Sequence, residues 1–221
     1  MSAADPAKQA ILARVRGALR DVPAGDPGAE AVARGYRRSG ALDADARAAL
    51  FAERCADYRA DVRRVAPAEL PDAIAAALAR RGARSLAAPA DLPAAWRVAG
   101  VEWVDDGGDD AGALSHAAIS AADGVVTACA VAIAETGVIV LDGGPAQGRR
   151  ALTLLPDYHL CVVECERIVE LVPEAVAALH PAAAEGRPMT WIAGPSATSD
   201  IEFDRVEGVH GPRTLDVLVV G

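Results

Sequence analysis

The 221-residue sequence predicts an α/β fold, a three-layer sandwich with a largely parallel sheet and an N-terminal helical extension. Three observations point there. The second half repeats short, nearly continuous apolar runs, the pattern of strands covered on both faces. Helical stretches and turns separate the runs, as in successive βα units. Residues 1–40 lack such runs and hold one amphipathic stretch followed by a proline- and glycine-rich tract.

Each element follows from local chemistry. Asp5 caps a first helix and Pro6 suits its first turn. Ile11, Val15, Ala18 and Leu19 share one helical face. Residues 21–40 hold Pro23, Gly25, Pro27, Gly28, Gly35 and Gly40 and read as a linker. The domain proper is then 41–221. A second helix is capped near Asp43 and carries Leu50, Phe51, Cys55 and Tyr58 inward, and Val62 to Ala66 is a short strand. A third helix, from Pro67–Pro71, presents Leu70, Ile74 and Leu78 and stops at Gly82. Strands follow at Ser85–Ala88, Val98–Val104, Val125–Thr127, Val138–Leu141, Leu160–Val163, Met189–Ala193 and Leu215–Val220, with a helix at Pro173–Leu179.

Composition narrows the function. A single chain of this length buries roughly 70% of its unfolded surface and needs no disulfide staples. The net charge of −9 disfavours a nucleic-acid groove or an anionic membrane as partner. The start of the chain has no apolar segment behind a basic end, and no apolar run approaches a membrane span. The expectation is a cytoplasmic protein with reduced thiols. The four cysteines, Cys55, Cys129, Cys161 and Cys165, lack the spacing of a zinc site or an iron–sulfur cluster.

The chemistry is expected in polar turns after apolar runs, because open α/β sheets bind ligands at the carboxyl ends of strands. Glu135-Thr136-Gly137 places a carboxylate between Ile133 and Val138. It reads either as a desolvated base or nucleophile, or as a cap or ion-pair partner. Gly143 and Gly148 have Walker A spacing, but Arg149-Arg150 replaces the lysine and hydroxyl, which excludes a nucleoside triphosphatase. Gly143, Gly144 and Gln147 with an arginine fork suit a carboxylate or phosphate; a plain turn is the other reading. Ser196, Thr198, Ser199 and Asp200 open a hydroxyl-rich turn with a capping box to Glu202. His210 sits between Val209 and Gly211 in a turn, and His159 beside Asp157 is a further candidate. His116 and His180 read as surface positions.

Taken in order, these turns resemble the LUD-domain family, in its lactate-utilisation C group (LutC/YkgG). The resemblance rests on Ile133-Ala134-Glu135-Thr136-Gly137, Leu141-Asp142-Gly143-Gly144-Pro145 with Gln147-Gly148-Arg149-Arg150, and Leu155-Pro156-Asp157-Tyr158-His159. Gly194 to Glu202 and Val206 to Arg213 complete it. It is specific over about residues 115–221 and a pattern of elements over 40–114. It implies a fold similar to glucosamine-6-phosphate deaminase, ribose-5-phosphate isomerase and the CoA transferases (NagB/RpiA/CoA-transferase-like). It also implies a component of a complex oxidising L-lactate to pyruvate, with no cofactor in this chain and iron–sulfur clusters on partner proteins. Combined with the turn chemistry, Glu135 and His210 are the catalytic candidates. Thr136, Gly143, Gly144, Gln147, Arg149, Arg150, Ser196, Thr198, Ser199 and Asp200 are the substrate-binding ones, with no metal ligand. The alternative is a stand-alone sugar-phosphate isomerase or acyl-CoA transferase with Glu135 as base or nucleophile. A ligand-free scaffold is the third reading.

Overall fold

The structure, a computed structural model, describes residues 6–22, 33–108, 112–198, 206–207 and 210–221. It divides into two compact units, Met1–Tyr36 and Arg37–Gly221. In the first, α1 spans Pro6–Ala18, and Ile11 and Val15 on it and Leu19 just after it are exposed. The cap expected at Asp5 lies outside the described residues.

The second unit is an α/β sandwich. The Asp43 side chain accepts a hydrogen bond from the Ala46 N–H and starts α2 (Ala44–Asp57). Strand β1 is Asp61–Val65, and α3 is Leu70–Arg81, closed by Gly82 in the left-handed region (φ 67°). Next come β2 (Ser85–Pro89), β3 (Glu102–Asp106), α4 (His116–Ala121) and β4 (Gly124–Thr127). Then come β5 (Val131–Ile133), β6 (Val138–Leu141), β7 (Tyr158–Glu164), β8 (Ile168–Val169) and α5 (Val172–Ala184). The chain ends with β9 (Thr190–Ile192), β10 (Ala197–Thr198), β11 (Val206–Glu207) and β12 (Thr214–Val220).

Six strands form one sheet in the order β1-β12-β7-β4-β2-β3, every pair parallel. Both its faces are buried. Leu160, Val162 and Leu218 pack with Ile74 and Leu78 of α3 on one side. Cys161, Val163, Val217 and Val219 pack on the other against Phe51 and Cys55 of α2 and Ala132 and Ile139. The second face is thus covered largely by another sheet, β8-β5-β6-β9, which contains antiparallel pairs. Helix α5 covers that sheet through Ala175 and Leu179. The sequence marks β6 and β9 of this sheet, whereas the three residues of β5 and two of β8 are too short to show a period.

Residues 37–40, expected in the linker, belong to the domain, which begins at Arg37. The buried Glu170 carboxylate accepts the Ala41 and Leu42 N–H groups at 2.6 and 2.7 Å, and Glu174 accepts that of Gly40 at 3.2 Å. A Cβ on Gly40 would stand 2.1 Å from the Glu170 carboxylate, so glycine lets the segment lie against it. Among the described residues, no helix is long and apolar enough to cross a membrane.

Candidate functional site

The expected site residues fall in three places. The β5–β6 turn holds Glu135, Thr136 and Gly137. The Gly137 N–H bonds the Ile133 carbonyl, and its φ of 65° and close approach to Arg54 require glycine. Glu135 is not enclosed. Its side chain is 49% exposed and pairs with Arg37 at 3.4 Å. It lines a shallow pocket with Arg37, Arg54 and Glu170. The Thr136 hydroxyl is buried with no hydrogen-bond partner among the described residues.

The Asp142–Arg150 turn lies at the carboxyl ends of β2 and β3, where ligand binding is expected. Its polar groups are engaged with the chain itself. Gln147 accepts the Asp142 N–H at 2.7 Å, and Asp142 accepts that of Gly144 at 3.0 Å. The Ala146 N–H goes to Asp91, and the Gln147 N–H to the Gly144 carbonyl. Arg149 is committed as well. Its Nε lies 2.9 and 3.1 Å from the two carboxylate oxygens of buried Asp106, and its Nη2 reaches the Leu114 carbonyl. Arg150 is exposed. Gly143, Gly144 and Gln147 therefore shape a brace at this end of the sheet, and Arg149 ties it to β3.

The third group lies at the opposite end, at the amino ends of β7 and β12. A cavity of about 230 Å³ is lined there by Thr153, His159, Thr190, Ser196, His210 and Leu215, among others. The β7–β12 register sets His159 beside Leu215, both facing the second sheet. The Ser196 hydroxyl accepts the His210 N–H at 3.0 Å, and the Ser196 N–H bonds the Pro212 carbonyl. The chain is drawn in by Gly194, whose φ of 74° and contact with Tyr58 leave no room for a side chain. Ser196 and His210 are thus brought together, while Glu135, Arg149 and Arg150 do not line this cavity. Thr198 lies in β10, paired with Val206. Ser199, Asp200 and the expected capping box lie outside the described residues. His116 and His180 are exposed.

His159, a further candidate from the sequence, lines this cavity. It is 1% exposed, and its Nε2 lies 2.8 Å from the Thr127 hydroxyl. Burial lowers its pKa to about 4, so the ring is neutral at physiological pH. The available signal was a polar residue in each of two paired apolar runs, Thr127 and His159. A consequence follows for acid stability. The unfolded ring takes up its proton near pH 6.5, the folded one near 4, so the unfolded state binds more protons between them. Stability falls as pH drops through that window, by on the order of 3 kcal/mol. Urea unfolding from pH 7 to pH 4 should show this slope in the native chain and a flatter one in His159→Phe. Equal slopes would contradict it.

Comparisons with known proteins give a consistent answer. The LUD domain family matches residues 48–220. "Lactate utilization protein C" of Deinococcus radiodurans is 53% identical over 171 residues, 77% of this chain and 78% of the relative. The protein of that name from Halalkalibacterium halodurans is 35% identical over 45% of this chain and 44% of its own length. The crystal structure of a DUF162 family protein from D. radiodurans matches with a TM-score of 0.70 and 44% identity, over 82% of this chain and all of that one.

Proposed function

Since the chain belongs to the LUD domain family, we propose that it serves lactate utilisation as the non-cluster subunit of a cytoplasmic assembly that oxidises L-lactate to pyruvate. The iron–sulfur clusters would reside on the partner proteins. The observation that carries the reading is the 53% identity, over 77% of this chain, to a lactate utilization protein C. The geometry adds a cavity of about 230 Å³, below the usual range for drug-sized ligands and suited to a small organic acid. Leu154 and Leu215 offer an apolar wall for a short carbon chain, and Ser196, Thr153 and the two histidines offer polar partners. In this reading Ser196 and His210 contact the ligand, and Arg149 holds the domain together. The test is lactate-dependent electron transfer by the reconstituted assembly with and without this chain. Activity that needs the chain, and falls with Ser196→Ala, is expected. Full activity without the chain would overturn the proposal.

A further inference from the structure

The cavity at the amino ends of β7 and β12 is walled in part by an imidazole that the protein engages through one of its two nitrogens. His159 lines the cavity and is almost fully buried. Its Nε2 is held by Thr127, and its Nδ1 has no hydrogen-bond partner among the described residues. With Nε2 engaged by Thr127, Nδ1 is the ring nitrogen left to meet an occupant of the cavity.

The identity of the protonated nitrogen follows from Thr127. Its hydroxyl has two acceptors in reach, His159 Nε2 at 2.8 Å and Cys161 Sγ at 3.9 Å. A thiol sulfur is a weak acceptor and an imidazole nitrogen a strong one. The hydroxyl therefore donates to Nε2, which leaves the ring proton on Nδ1. The low pKa of the buried ring keeps a single N–H there rather than a positive charge. Among the described residues, neither arginine nor lysine lines the cavity. Next to it, the Ser196 hydroxyl accepts from the His210 backbone, which leaves its own proton to donate.

We infer that the cavity is a neutral-donor site in which His159 Nδ1–H and the Ser196 hydroxyl hold a carboxylate or carbonyl oxygen of a small organic acid. Thr127 is the positioning residue that fixes which nitrogen carries the proton. The inference deepens the lactate-utilisation reading and rests on it for the choice of ligand. It assigns recognition to two uncharged donors rather than to an arginine fork.

The test is imidazole ¹H–¹⁵N correlation spectroscopy on the ¹⁵N-labelled full chain, titrated separately with L-lactate, pyruvate and acetate. The expected spectrum shows His159 protonated on Nδ1, with that nitrogen shifting saturably as ligand is added. Thr127→Val should convert the ring to a mixture of tautomers and weaken binding several-fold. His159→Phe should weaken it at least tenfold. His159→Gln, which keeps a donor, should recover part of it and serves if the Phe variant does not fold. An Nε2-protonated ring in the native chain, no shift with any of the three acids, or unchanged binding in the His159 variants would overturn the inference. Acetate binding without lactate or pyruvate binding would support the donor site and count against the lactate reading. Unchanged lactate turnover of the assembly in a folded His159→Phe variant would instead overturn the donor site and leave that reading standing.

Discussion

Arg149→Ala is expected to destabilise the domain by about 3 kcal/mol or more, as an urea midpoint shift that does not depend on any ligand. The Asp106 carboxylate has a side-chain exposure of 0% and is held by Arg149 and by the Leu114 N–H at 2.7 Å. Truncating the arginine leaves a buried charge with one neutral donor. The Leu114 carbonyl loses its guanidinium donor too. Removing one partner of a buried pair costs far more than the pair contributes as a whole, because the survivor stays desolvated. The double variant Arg149→Ala/Asp106→Asn should therefore recover much of the loss. Arg150→Ala, at an exposed position, should change stability by no more than about 0.5 kcal/mol. A loss of less than 1 kcal/mol in Arg149→Ala, with weakened acid binding, would return Arg149 to the ligand.

The second large effect is expected at Asp216. This carboxylate sits inside the parallel sheet on β12, 1% exposed. Arg81 approaches it at 2.6 Å, Arg80 at 2.8 Å, and the Tyr158 hydroxyl donates to it at 2.9 Å. The arrangement raises the Tyr158 pKa, first through burial of the phenol and then through the neighbouring carboxylate. It raises that of Arg81 through the hydrogen bond to Asp216. Asp216→Ala leaves the Arg81 guanidinium and the Tyr158 phenol without this acceptor at the end of α3, and among the described residues only Arg80, through Asp61 at 2.9 Å, keeps an ionic tie from that helix to the sheet. A loss of about 3 to 5 kcal/mol is expected, with a lowered thermal midpoint. Asp216→Asn keeps the shape but not the charge and should fall between. A fully stable Asp216→Ala would mean that Arg81 finds water instead, and that the apolar face of α3, Leu70, Ile74, Ala77 and Leu78, suffices to hold it.

How much of this was legible beforehand differs by element. The parallel sheet was, because β7 and β12 are buried on both faces and their apolar runs are nearly continuous. Helices α2 and α3 were, down to Asp43 and Gly82, because a capping carboxylate and a left-handed glycine have few other uses. The strand expected at 98–104 sits at Glu102–Asp106, since Val98 and Val101 pack beside the sheet before the chain enters it. Helix α4 is short and alanine-rich, with only Ile119 fully buried, so it carries no periodic stripe. The candidate site was legible as residue types and not as places. Arg149 reads as an anion fork until Asp106, distant in sequence, is seen to occupy it. Glu135 reads as enclosed by its apolar neighbours, yet the hairpin turns it outward to Arg37. His159 and Thr127 belong to strands, and only the register of β4 on β7 brings them within 2.8 Å.

The central claim, a non-cluster subunit of a lactate-oxidising assembly, is tested most directly by anaerobic affinity purification of the tagged full chain from its own cells grown on lactate. Iron content, mass spectrometry and lactate oxidation are read on the eluate. The account predicts co-purifying, iron-rich, cysteine-cluster proteins with lactate-dependent activity. A colourless chain recovered alone, whose removal leaves the lactate oxidation of the extract untouched, would contradict it.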